Sequence, residues 1–168
     1  MIISPDASAG PTAAFLLRHP AHAIALGAGA GLVPVAPGTV GTLLAFPLYW
    51  LLASWLSGWA LLAVIALAFM LGVWACGHTG RALGSADHGA IVWDEIVAFM
   101  LVLFFTPEGL PWQVLAFVLF RLFDILKPPP IGYFDRKLKS GFGVMFDDLL
   151  AAFYSLLALT IVSTLLAG

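Results

Sequence analysis

Apolar residues fall into five long stretches separated by short polar or helix-breaking punctuation. The first covers residues 42–56 and carries Pro47 in its first turns. Ser57-Gly58 closes it, and a second follows over 59–77. A third covers 91–106 and stops at Pro107-Glu108-Gly109. A fourth starts at Pro111, a residue suited to a helix's first turn, and runs to Leu126. There Pro128-Pro129-Pro130 forbids continuation. A fifth covers 147–166. All five are expected to be helices. Several are short: sixteen residues reach about 24 Å, against a hydrocarbon core of roughly 30 Å. Flanking turns or local thinning of a bilayer would make up the difference. Residues 21–36 are apolar but rich in Ala and Gly, and are expected as an interfacial or re-entrant segment. No internal repeat or low-complexity segment interrupts the pattern.

Composition decides what kind of helical protein this is. Of 168 residues, 62% are apolar and 10% charged, against roughly 25% charged in an average soluble domain. A chain this short has too few polar residues to cover a soluble surface. The formal net charge of −2 excludes disorder by charge and nucleic-acid binding by bulk basicity. The expected fold is therefore all-α, a polytopic membrane helical bundle of about five apolar helices plus the N-terminal segment. It forms one domain over 1–168. Cys76 is alone, so no intramolecular disulfide forms, and its apolar run beside Trp74 marks a buried, inert thiol. Residues 1–20 hold Asp6 and Arg18 but no compact apolar region with a cleavage site, so a removable signal peptide is not expected.

The few charges are concentrated. All but Asp6 and Arg18 lie between Arg81 and Asp148. If the first helix starts on one side, alternating spans place the 77–90 loop and the 127–146 loop on that same side. Arg18, Arg81, Arg121, Lys127, Arg136, Lys137 and Lys139 all fall there, and the other side carries only Glu108. The positive-inside rule makes the basic side cytoplasmic, and such a rim attracts anionic lipid headgroups.

The same trace brings Asp94 and Glu95 (start of the third helix), Arg121 and Asp124 (end of the fourth) and Asp147 and Asp148 (start of the fifth) to one depth. Ionisable groups there pair, bind ions or face water. Five clustered carboxylates repel one another, and a hard divalent cation relieves the repulsion. Oxygen-only ligands favour Mg²⁺, Mn²⁺ or Ca²⁺ over zinc. Taken singly, Arg121–Asp124 also reads as an i,i+3 ion pair and Asp147-Asp148 as a helix cap. The segment Pro37-Gly38-Thr39-Val40-Gly41-Thr42 enters the first helix with backbone N–H groups and two hydroxyls for a phosphate, or as an ordinary capped loop. His88 lies just before the third helix and is a candidate general acid, or a capping residue. Lys127 offers a phosphate a point charge, or snorkels. His19, His22 and His78 show no partner pattern and read as interfacial.

These residues resemble a known family. The blocks are Pro37-Gly38-Thr39-Val40-Gly41-Thr42, Asp87-His88-Gly89-Ala90-Ile91-Val92-Trp93-Asp94-Glu95, Phe120-Arg121-Leu122-Phe123-Asp124-Ile125-Leu126-Lys127-Pro128 and Gly141-Phe142-Gly143-Val144-Met145-Phe146-Asp147-Asp148. Together they resemble the bacterial phosphatidylglycerophosphatase A family along nearly the whole chain. Ala98-Phe99 stands where that family usually has a small residue, often Gly, and Ser140-Gly141 replaces a glycine pair. The resemblance implies a Mg²⁺-dependent lipid phosphatase of the bacterial inner membrane with its site on the cytoplasmic side. It would convert phosphatidylglycerophosphate to phosphatidylglycerol and phosphate. Asp94, Glu95, Asp124, Asp147 and Asp148 would hold the metal. Arg121 and Lys127, with Thr39 and Thr42, would hold the phosphate, and His88 would assist the leaving group; Asp94, Asp148, His88 and Arg121 form the catalytic set. Two rival expectations are a phosphatase of another phospholipid or polyprenyl phosphate, and a membrane cation transporter. Membrane lipids and the phospholipid substrate are the expected partners.

Overall fold

The computed structural model describes residues 10–167, and every regular element among them is helical. Residues 1–9, with Asp6 and half of the segment weighed as a signal peptide, lie outside the described residues, as does Gly168. The order is α1 (Ala13–Leu16), α2 (Pro20–Ala25), a 3₁₀ segment (Gly27–Leu32), α3 (Pro37–Ala53), α4 (Gly58–Leu83), α5 (Trp93–Phe105), α6 (Leu110–Leu126), α7 (Ile131–Lys137) and α8 (Gly141–Ala167).

The shortest of the major helices holds the centre. α5 has 13 residues, about 20 Å, and Ile96, Val97, Ala98, Phe99, Met100, Val102 and Leu103 are all buried. α3, α4, α6 and α8 pack around it. Phe99 stands T-shaped against Phe46 and Phe117, with centroids 5.1 and 5.9 Å apart. Outward-facing side chains are apolar as well: Leu67 and Met70 on α4, Val114, Val118 and Ile125 on α6, Phe153 and Ile161 on α8. An apolar exterior of this extent suits lipid rather than water.

Length separates the helices more sharply than the sequence pattern does. Among the described residues only α4 and α8 are long and apolar enough by themselves to cross a membrane, and only 28% and 22% of their most apolar windows are buried. Most of each window faces outward rather than into the bundle. α3, α5 and α6 have 17, 13 and 17 residues, so five full-length spans are not confirmed.

Three boundaries differ from expectation, each for a packing reason. α4 continues six residues past Gly77, and α8 begins six residues before Asp147. Gly77 and Gly141 are the contact between them: a Cβ on Gly141 would strike the Val73 carbonyl and the Gly77 backbone. Glycines that read as helix breakers are close-approach points inside long helices. α3 begins at Pro37, not Thr42, because Pro at the first position pre-sets helical φ. The segment 21–36 forms α2 and the 3₁₀ segment, which lie against α4 and α3. The 127–146 loop contains the unanticipated α7.

Candidate active site at one end of the bundle

The starts of α3, α5 and α8 and the end of α6 meet at one end of the bundle, and the charged residues meet with them. Asp94 and Glu95 occupy the first turn of α5. Arg121 and Asp124 share one face of the last turns of α6. Asp147 and Asp148 stand two turns inside α8, since that helix starts at Gly141. This position excludes the capping role for the pair. Asp94, Asp124, Asp147 and Asp148 are all buried, at 8% exposure or less.

Two cations organise the acids into two knots. The Arg121 Nη1 donates to Asp124 Oδ2 at 2.6 Å, to Glu95 Oε1 at 3.3 Å and to the Thr42 hydroxyl at 3.3 Å. That hydroxyl in turn donates to the Gly38 carbonyl at 2.9 Å. One guanidinium thus ties α3, α5 and α6 together. A Cβ on Gly38 would collide with the Glu95 carboxylate, so a side chain there would displace that carboxylate. Gly41 similarly admits Val92, whose Cβ would lie 2.8 Å from an added Cβ. The Pro-Gly-Thr block is therefore the first turns of a helix pressed on α5, not an open loop. Thr39 is half-buried in the first turn of α3.

The second knot is centred on Lys127. Its Nζ donates to Asp147 at 2.5 Å and Asp135 at 3.0 Å, with Asp87 at 3.9 Å. Lys127 ends α6 in the left-handed region, at φ 41°, with its amide bonded to the Phe123 carbonyl at 2.9 Å. A non-glycine residue there stores roughly 1–3 kcal/mol of strain. Burial favours a neutral Lys127, but the Asp147 charge and the Asp147 and Asp135 hydrogen bonds outweigh it and raise the ammonium pKa. Burial likewise opposes ionisation of Asp135, and the Lys127 hydrogen bond reverses this and lowers its pKa. At Asp87 burial prevails over Lys127 and the pKa is raised.

Between the knots lie unsatisfied groups. Asp94 Oδ1, Glu95 Oε2, Asp148 Oδ2 and Arg121 Nε are buried without a hydrogen-bond partner. Such atoms are rare in folded proteins, and each calls for a partner such as water or an ion. The charged neighbours of Asp148 are Asp124, Asp94, Asp147 and Glu95. All free acceptors are carboxylate oxygens, the donor type a hard divalent cation takes. Among the described residues no three His, Cys, Asp or Glu side chains already converge as a ligand set, and Arg121 and Lys127 engage part of the acids. The donor chemistry fits a divalent cation; the ion-paired arrangement is what the side chains adopt with each other.

Asp87 and Asp135 complete the Lys127 knot. Asp135 was not legible as part of it, although it is the only acid in the 127–146 segment. His88 is not drawn into either knot; its Nδ1 accepts from the Ala90 amide at 3.1 Å. Cys76 is buried against Met145, sulfur to sulfur 3.9 Å. The three histidines do have partners: His19 stacks on His78 with centroids 4.2 Å apart, and His22 Nδ1 bonds the Thr79 hydroxyl at 3.0 Å.

The family model described as Phosphatidylglycerophosphatase A matches residues 23–163. The chain belongs to the phosphatidylglycerophosphatase A family. It is 49% identical over 143 residues to the Phosphatidylglycerophosphatase A of Haemophilus influenzae, covering 84% of this chain and 87% of that one. It is 40% identical over 141 residues to the protein of the same name from Escherichia coli, covering 83% and 81%. A Bacteroides thetaiotaomicron protein provisionally named a phosphatidylinositol-3-phosphatase is 37% identical over 145 residues, covering 82% and 90%. No solved structure matches the chain. Both knots and all four unpartnered atoms fall inside the matched residues.

Proposed function

We propose that this chain hydrolyses the terminal phosphomonoester of phosphatidylglycerophosphate, releasing phosphatidylglycerol and inorganic phosphate, with Mg²⁺ as cofactor. The observation that carries the reading is the set of unpartnered oxygens on Asp94, Glu95 and Asp148, buried beside Arg121 at one end of an apolar bundle. Family membership and the names of the relatives support the reaction and the substrate. The apolar exterior and the basic residues around the site support a multi-pass protein of the bacterial inner membrane that works at its cytoplasmic face.

Asp94, Glu95, Asp124, Asp147 and Asp148 would hold the cation, which supplies Lewis acidity toward phosphoryl oxygens and a more acidic bound water. The chain's own groups do the rest. Arg121 and Lys127 present fixed positive charge to the phosphate, and the Thr42 hydroxyl, with Thr39 nearby in the same turn, adds a neutral donor. Asp148 is also our candidate to take a proton from the attacking water. As the water oxygen bonds to phosphorus, the P–O bond to glycerol breaks and the departing oxygen takes a proton. His88 Nε2 is our candidate donor, with its Nδ1 fixed by Ala90.

The name of the Bacteroides relative favours one second reading, a different phospholipid headgroup on the same site. Phosphate release by purified protein from a panel of lipid phosphates, with and without Mg²⁺, separates the two. Fastest Mg²⁺-dependent release from phosphatidylglycerophosphate is expected, and loss of it in Asp148→Asn. Full turnover by a folded Asp148→Asn protein would remove this site from consideration.

A further inference from the structure

An apolar cleft opens beside the carboxylates, between α4, α5 and α8. Its walls are Leu62, Ala66, Phe69 and Met70 on α4, Val97, Ala98 and Leu101 on α5, and Leu149 on α8, and its volume is about 270 Å³. No polar side chain lines it. Water there would find none of the two to four partners it needs. Met70 is 67% exposed and stands at the mouth, so the cleft is open from outside the bundle.

Its position ties it to the site. Val97 and Ala98 are one helical turn beyond Asp94 and Glu95, and Leu149 directly follows Asp148. Trp93 Nε1 donates to the Ala68 carbonyl at 3.0 Å and joins the first turn of α5 to α4 at that level. From Met70 to Leu62 the cleft runs about 12 Å along α4, away from the carboxylates. Ala66 and Ala98 offer only methyl groups, which leaves space between the helices there. The volume falls below the roughly 300–1,000 Å³ of a drug-sized site and suits a linear hydrocarbon rather than a headgroup.

We infer that this cleft binds one acyl chain of the lipid whose phosphate lies at the carboxylates. The inference rests on the phosphatase reading above and extends it: the enzyme would grip a diacyl substrate by a chain as well as by its phosphate. Ala66 would then set how far the chain enters. It is exposed on α4, so a larger side chain there fills the cleft without overpacking the core.

The test compares Ala66→Phe with the parent on dioleoyl and dihexanoyl phosphatidylglycerophosphate in mixed micelles. A rise in KM of roughly tenfold or more for the long-chain substrate, with the short-chain KM unmoved, is expected. An equal change for both, or none for either, overturns the inference. A second measurement does not need turnover. Vesicles containing phosphatidylglycerol with a diazirine in one acyl chain are irradiated with parent and variant, and adducts are mapped by mass spectrometry. Adducts on Leu101 and Leu149 that vanish in Ala66→Phe, while those on outward-facing Val118 persist, support the cleft. Adducts unaffected by the variant, or confined to Val118 and its outward neighbours, overturn it. If the parent releases phosphate from no lipid, the phosphatase reading fails by itself and labelling alone judges the cleft.

Discussion

Lys127 Nζ and Asp147 Oδ2 lie 2.5 Å apart, and through that bond the last residue of one helix turn holds the second turn of another. The lysine that makes this bond has a left-handed backbone at the end of α6. Backbone strain and side-chain charge can be separated experimentally. Lys127→Gly keeps the turn and relieves the strain while deleting the cation. Melting temperature is expected to fall less in Lys127→Gly than in Lys127→Met, which keeps the strain. Phosphate release should drop roughly 100-fold in both. Equal melting temperatures for the two variants would show that the left-handed turn carries no cost.

Arg121 serves three helices with one guanidinium nitrogen, and its Nε faces no partner. A lysine in its place supplies the charge but not the planar fork. Arg121→Lys is expected to fold and to lose roughly 100-fold or more in kcat. Steady-state kinetics in detergent check this. Activity within twofold of the parent would mean that the charge alone suffices.

Gly38 has no room for a side chain against Glu95. Gly38→Ala should displace the Glu95 carboxylate from its place beside Arg121. The expected cost is about 1–3 kcal/mol of stability, as for other overpacked contacts, together with a loss of at least roughly tenfold in turnover. Gly58→Ala is the comparison. A Cβ at Gly58 meets open space, and its positive φ is the only penalty, so activity should survive.

The Lys127–Asp135 contact lends the fold a pH dependence with a definite sign. Asp135 has a lowered pKa in the folded chain. The stability it contributes is therefore present above its ordinary value of 3.8 and is lost as pH falls through the lower folded value. Lys127, with its pKa raised, contributes below 10.5 and loses that contribution only at still more alkaline pH. Thermal melts between pH 3 and 7 should show a steeper acid limb for the parent than for Asp135→Asn. Parallel limbs would show that the contact is not formed in solution.

Chelation offers the plainest check on the cofactor. Removing divalent cations should abolish phosphate release, and Mg²⁺ should restore it, without altering the helical content measured by circular dichroism. Undiminished turnover in excess chelator would refute the Mg²⁺ assignment.

Much of the site was legible because helix parity is a strong constraint. Once Pro107-Glu108-Gly109 and Pro128-Pro129-Pro130 ended their helices, Asp94, Arg121 and Asp147 had to come to the same end. The helix lengths were not legible, and glycine is the reason. Gly77, Gly80, Gly141 and Gly143 carry the composition of a turn but sit inside α4 and α8, where they let backbone meet backbone. Tertiary packing overrode the local propensity of those residues. The misplaced start of α8 is also what made Asp147 and Asp148 resemble a cap. Asp135 was hidden for a different reason. Its role depends on α7 folding back toward Lys127, and the basic run that follows it suggested only a charged rim.

The backbone-to-backbone crossing of Gly77 and Gly141 pins α4 and α8 together near the carboxylates. Asp147 and Asp148 sit within two turns of that contact. A side chain added at Gly141 would have to part the two backbones, and the start of α8 would carry both aspartates away from α4 with it.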